Sequence, residues 1–156
     1  MRRLPGEYPL LSGRISGVRN DEYVLRPVGW VESSLTERAA APRQGDEGAP
    51  DCWVVFRADV ADGLRGLRVG DEVLLLTWLD RAERGTLVVR PRGDLTRVET
   101  GVFATRSPDR PNPIGLHRVE ILALDGPARV RVRNLEALDG TPVVDVKPLL
   151  GDIADR

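Results

Sequence analysis

The chain has 156 residues and a formal net charge of −1, with 41% hydrophobic and 30% charged residues. Those values describe one soluble globular domain. It lacks the basic excess of a strong nucleic-acid binder and, at 4% aromatic residues, has few rings on which bases could stack. One Cys and one His exclude an intrachain disulfide and a His/Cys metal set. No apolar run approaches the about 18 residues of a membrane span, so the expected setting is the cytoplasm, with no metal and no membrane.

Residues 1–23 read as an N-terminal extension or arm, and residues 24–156 as one barrel-type domain. Strand character begins at Tyr23–Ser34, where Val24, Val28, Trp30 and Val31 are β-formers. Leu35 to Pro50 is rich in Ala, Pro, Gly and charge, which predicts a long loop, and long loops in compact domains tend to carry function. "CWVVFRADV" reads as a strand and "ADGLRGLRVGD" as a short helix or turn. "EVLLLTWLDRA" reads as a strand buried on both faces that emerges at Leu79–Asp80–Arg81. "GTLVVRPRGD" holds another short strand. Strand pattern resumes at Leu116 and stops at the turn signal Asp125–Gly126. Arg129, Arg131 and Arg133 then alternate with Val130 and Val132, a period of two with one apolar and one basic face. Asp139–Gly140 marks a further turn, before the last strand in "TPVVDVKPLL". About seven strands, little helix and no βαβ rhythm predict a mainly β fold, a single small barrel with long loops. No dinucleotide fingerprint or P-loop is present.

"GVFATRSPDRPNPIGL", Gly101 to Leu116, stands between two of these strands. Pro111 and Pro113 fix φ and remove two backbone donors, and they bias Arg110 and Asn112 toward extended conformations. Arg106 and Arg110 can each grip a carboxylate or phosphate in a fork. Gly115 permits close approach of a ligand or strand. Pro42–Arg43–Gln44 offers donors and an acceptor on the long loop. Asp80–Arg81 places charge at a strand end. Glu136, Asp139 and Asp145 can accept hydrogen bonds or serve as a base. Against each stands a plainer structural role: rigid turn, solvated loop, strand exit, turn cap. His117 reads as structural, and Cys52, Trp30, Trp53 and Trp78 as core or interface residues. The Arg129–Arg131–Arg133 face is either a solvated strand face or an electrostatic platform for RNA.

The segment "GVFATRSPDRPNPIGL" resembles the signature of the TsaA/TrmO family, S-adenosylmethionine-dependent methyltransferases with a β-barrel core. "PVGWVESS", "APRQ" and "LEALDGTPVVDVKPLL" are similar to further family segments, so the resemblance runs from Leu25 to Leu150. It implies methylation of the exocyclic nitrogen of threonylcarbamoyl-adenosine in tRNA, S-adenosyl-L-methionine as cofactor, and a homodimer with the cofactor close to the subunit interface. The implied cofactor contacts are Pro42, Arg43, Gln44, Asp80, Arg81, Arg106, Leu116, Asn134, Leu135 and Glu136, with Arg110 and Asn112 on the substrate side. Candidate proton acceptors are Asp80, Glu136 and Asp139. Asp80–Arg81 stands where many members carry His–Gln, and the resemblance is to a short form without the C-terminal domain of larger members. Two alternatives remain: a methyltransferase of the same fold acting on a small amine or heterocycle, and a barrel that binds cofactor or RNA without catalysis.

Overall fold

Strands that alternate inward apolar and outward polar side chains bury one face by curling the sheet onto itself. The computed structural model describes residues 22–150. Its strands are β1 (Gly29–Glu32), β2 (Cys52–Phe56), β3 (Glu72–Trp78), β4 (Val88–Val89), β5 (Thr100–Gly101), β6 (Ile114–Asp125), β7 (Arg129–Arg133) and β8 (Pro142–Pro148). Six of them close into a barrel in the order β1–β2–β7–β6–β3–β8, and β4 and β5 form a separate ribbon. Every pairing is antiparallel. Among the described residues helical structure is confined to short 3₁₀ turns, and no helix is long and apolar enough to cross a membrane.

Val31, Val54, Phe56, Val73, Leu75, Val119, Ile121, Val130, Val132 and Val143 fill the interior. Each such burial contributes roughly 1.5–3 kcal/mol. It also fixes register, because a one-residue slip would turn a whole apolar set outward.

The mainly β barrel is as expected, with local differences. The first strand starts at Gly29 rather than near Val24. Pro27 supplies no N–H there, and Tyr23 and Val24 are largely exposed. β3 is buried on one face only: Val73, Leu75 and Thr77 point inward, while Leu74, Leu76 and Trp78 are half-buried. Among the described residues no second layer covers the outer face of the barrel fully. β5 is two residues long and leaves no periodic trace. β6 begins at Ile114, so the end of the proline-rich segment is already strand, paired with Trp78, Thr77 and Leu76. Of the expected arm, residues 1–21 lie outside the described residues.

Strand direction positions the loops. Neighbours alternate up and down around the ring, so β1, β7 and β3 end where β2, β8 and β6 begin. The connections 33–51, 79–113 and 134–141 therefore all open at one mouth of the barrel.

Candidate functional site at the loop mouth

Those three connections carry all the implied cofactor and substrate contacts except Leu116, which opens β6 beside them; Asp145 lies in β8 and the Arg129–Arg131–Arg133 face in β7. The three connections are tied to one another. Arg38 reaches across to Asp109 at 2.7 Å, and Asp109 Oδ1 accepts the Glu83 amide at 2.9 Å. Partial burial pushes the Asp109 carboxyl up, but the Arg38 hydrogen bond, the Glu83 amide and the Arg38 charge together outweigh it and hold the group below its ordinary range. Arg81 donates to the Thr36 carbonyl at 3.0 Å, and Arg92 meets Glu47 at 3.1 Å. Gly45 is buried beside Asn134, where a side chain would run into the Asn134 backbone. Asn134 itself sits at φ 66, a left-handed conformation that Asn tolerates better than most residues. The Pro42–Arg43–Gln44 segment is thereby brought against the Asn134–Leu135–Glu136 segment, and the turn Gly45–Glu47 packs beside β6.

Beneath the loops lies a polar layer of the barrel interior. His117 Nδ1 is 2.8 Å from Glu136 Oε1, and His117 Nε2 is 2.8 Å from Thr77 Oγ1. Thr77 and His117 are buried, whereas the Glu136 side chain keeps 20% of its exposure. Leu116 points to the opposite side of β6 and is 43% exposed. Leu135, with no exposed surface, and Ala137 hold the chain on both sides of Glu136.

The remaining candidates divide by their partners. Arg43 and Arg106 are exposed and have no side-chain partner among the described residues. Arg110 faces its own loop: Nε donates to the Ser107 carbonyl at 2.7 Å, and Nη2 to the carbonyls of Val102 at 2.7 Å and Thr105 at 2.6 Å. Among the described residues the Asn112 side chain meets only Arg84, at 3.4 Å; Arg84 also binds the Pro111 carbonyl at 2.8 Å and stacks 5.4 Å from the Trp78 ring. Asp139 links two of the loops: its Oδ1 accepts the Ser33 amide at 3.0 Å. Asp80 is exposed, and among the described residues its carboxylate has no partner.

The arginine stripe on β7 is neutralised. Arg129 pairs with Glu32 and Asp125, Arg131 with Asp51, and Arg133 with Glu120. Arg129 also lies 4.5 Å from the Trp53 ring. The alternation seen in sequence is thus a paired outer face rather than a bare basic one. Thr77, Arg38, Asp109 and Gly45 did not stand out in the sequence. Thr77 left one signal, a lone hydroxyl inside the apolar run Val73–Leu79.

A family model for the tRNA-methyltransferase O N-terminal domain matches residues 30–155. A Methanothermobacter thermautotrophicus protein named a probable S-adenosyl-L-methionine-binding protein is 43% identical over 85% of this chain and 93% of its own length. An S-adenosyl-L-methionine-binding protein of Archaeoglobus fulgidus is 44% identical over 80% of this chain and 87% of its own. A crystal structure of TrmO superposes with a TM-score of 0.67 at 32% identity, over 83% of this chain and 58% of that one. TrmO from Pseudomonas aeruginosa superposes with a TM-score of 0.66 at 29% identity, over 83% of this chain and 56% of that one. The chain therefore spans little more than half the length of those TrmO chains.

Proposed function

The chain belongs to the tRNA-methyltransferase O family, and from that membership we propose that it is an S-adenosylmethionine-dependent methyltransferase acting in the cytoplasm on the exocyclic nitrogen of threonylcarbamoyl-adenosine in tRNA. The observation that carries this reading is the convergence at one barrel mouth of the three loops that hold Pro42–Gln44, Arg106 and Asn134–Glu136. The names of the two archaeal relatives support the cofactor.

The residues present fit that cofactor. A methionine carboxylate needs a guanidinium fork, and Arg43 and Arg106 are exposed and not engaged elsewhere among the described residues. An ammonium or ribose hydroxyl needs an acceptor, which Glu136 supplies. An adenine ring needs backbone polar groups and an apolar wall, which the 42–45 and 134–136 segments and Leu116 supply. When bound, S-adenosylmethionine supplies an electrophilic methyl group on a sulfonium.

The protein's contribution is positioning, which is worth much of the barrier in a displacement of this kind. The proline-framed loop, laced internally by Arg110 and Arg84, holds Arg106 and Asn112 at low entropic cost. An amide-like nitrogen must also lose a proton. Of the three candidate acceptors Asp139 is engaged by the Ser33 amide and Glu136 is taken up by His117 and the cofactor's donors, which leaves Asp80, exposed and with no carboxylate partner among the described residues, to take that proton. A homodimer completes the proposal: the excursion between β3 and β6 exposes Leu87, Val88, Leu95, Val98 and Phe103 at 53–83%, an apolar surface of the sort that marks association.

A small-molecule amine or heterocycle is the second reading, favoured by the neutralised β7 arginines. One experiment separates the readings. Purified protein is titrated with S-adenosylhomocysteine, its mass is measured by light scattering, and it is then incubated with labelled cofactor and tRNA from cells that lack this methylation. Binding by a dimer with label entering tRNA is the expected result. Binding without label would move the assignment to a small molecule, and absence of binding would remove the methyltransferase reading altogether.

A further inference from the structure

We propose that His117 is a positioning residue: it pins one oxygen of Glu136, so that the other oxygen, Oε2, is presented to the loop mouth as an acceptor for the cofactor's hydrogen-bond donors. The inference rests on the assignment of that mouth as the cofactor site.

Both ring nitrogens of His117 are engaged, at 2.8 Å each, and its side chain is 4% exposed. An ionised carboxylate only accepts hydrogen bonds. Nδ1 therefore carries the proton toward Glu136 Oε1, and in the neutral ring Nε2 accepts the Thr77 hydroxyl. Thr77 has no exposed surface, so this Thr–His–Glu row is not a nucleophile with its base, despite the likeness in order. It is a holding device whose hydroxyl fixes the tautomer and whose carboxylate faces the mouth.

Three features separate in sequence belong to this one arrangement. Thr77 is the hydroxyl in the apolar run. His117 follows the proline loop. Gly115 lies between, and a side chain there would occupy the space of Thr77 Oγ1 and His117 Nε2. Burial of Leu135 and Ala137 fixes the backbone around Glu136, and Glu136 Oε2 has no partner among the described residues. A carboxylate already held in one rotamer loses less entropy when it takes up a ligand donor.

Two substitutions separate positioning from packing. His117→Asn keeps an amide nitrogen close to the place of Nδ1, and His117→Gln keeps one close to the place of Nε2. Calorimetric titration with S-adenosylhomocysteine should show His117→Gln weakened about tenfold and His117→Asn by about threefold or less, as for loss or retention of one charge-assisted bond. In a Glu136→Gln background the difference between the two should vanish. Equal loss in both variants, no loss in either, or the larger loss in His117→Asn overturns the proposal, since a packing role would penalise the smaller Asn more through the larger cavity it leaves. Imidazole nitrogen NMR of the parent protein is the second arm: Nδ1 protonated and Nε2 bare is the expected spectrum, and the opposite tautomer overturns the proposal even where the variants fail to fold. If the parent chain binds no S-adenosylhomocysteine, the proposed function falls, and the ring spectrum alone decides whether His117 holds Glu136.

Discussion

Gly115 stands opposite Thr77 in the β3–β6 ladder, and the Thr77 hydroxyl together with the His117 ring fills the space a side chain at 115 would need. Gly115→Ala should therefore be destabilising through overpacking of a buried site, by about 2 kcal/mol. Urea unfolding measures it. An unchanged midpoint would mean that β6 can shift away from β3 at no cost, and that the polar layer is loosely held.

Arg106 and Arg110 lie four positions apart in one loop, yet they should respond oppositely to truncation. Arg106 has no protein partner to lose among the described residues, so Arg106→Ala should leave the melting temperature in place and weaken S-adenosylhomocysteine binding by about 1–3 kcal/mol. Arg110 donates to three loop carbonyls, so Arg110→Ala should lower the melting temperature. Paired thermal scans and titrations check both, and a stable Arg110→Ala protein would show that the prolines alone hold the loop.

The Arg38–Asp109 bridge makes stability depend on pH. Asp109 is held below its ordinary value in the folded chain. Its contribution is therefore present above the unfolded pKa of about 3.9 and is lost as pH falls through the folded value. Asp109→Asn should cost about 1 kcal/mol at neutral pH, a figure kept low by the half-exposed Arg38. The gap between parent and variant should narrow from about pH 4 downward. Urea titrations at neutral and acid pH test it, and a gap that stays constant with pH would assign the effect to packing.

Cys52 should be chemically silent in the native protein. Burial, and then the neighbouring Asp51 charge, push its thiol up to about 12, so almost no thiolate exists near neutral pH. Ellman's reagent should detect no thiol in buffer and one per chain in denaturant. Fast labelling without denaturant would place the β2–β7 seam among the mobile parts of the barrel.

Much of the barrel was legible because its signals are local. Val130 and Val132 between Arg129, Arg131 and Arg133 reveal a strand with one buried face at any tertiary placement, and Asp125–Gly126 and Asp139–Gly140 mark turns whose glycines adopt positive φ. β5 and the true start of β1 were not legible, because two-residue pairing and the loss of strand before Gly29 depend on what lies opposite rather than on the segment itself.

The sequence by itself determined the class of fold, the stiffness of the proline loop and the resemblance that names the family, since each lies in contiguous residues. It also singled out the loops proposed as the site. Only the tertiary structure decided that these loops share one mouth, because that follows from strand direction around a closed ring. Only the structure showed that the β7 arginines are neutralised, because Glu32, Asp51 and Glu120 come from other strands and loops. The buried row Thr77–His117–Glu136 is likewise a product of closure: a polar side chain inside a barrel must find its partner across the fold, and residues 40 and 19 positions apart meet there.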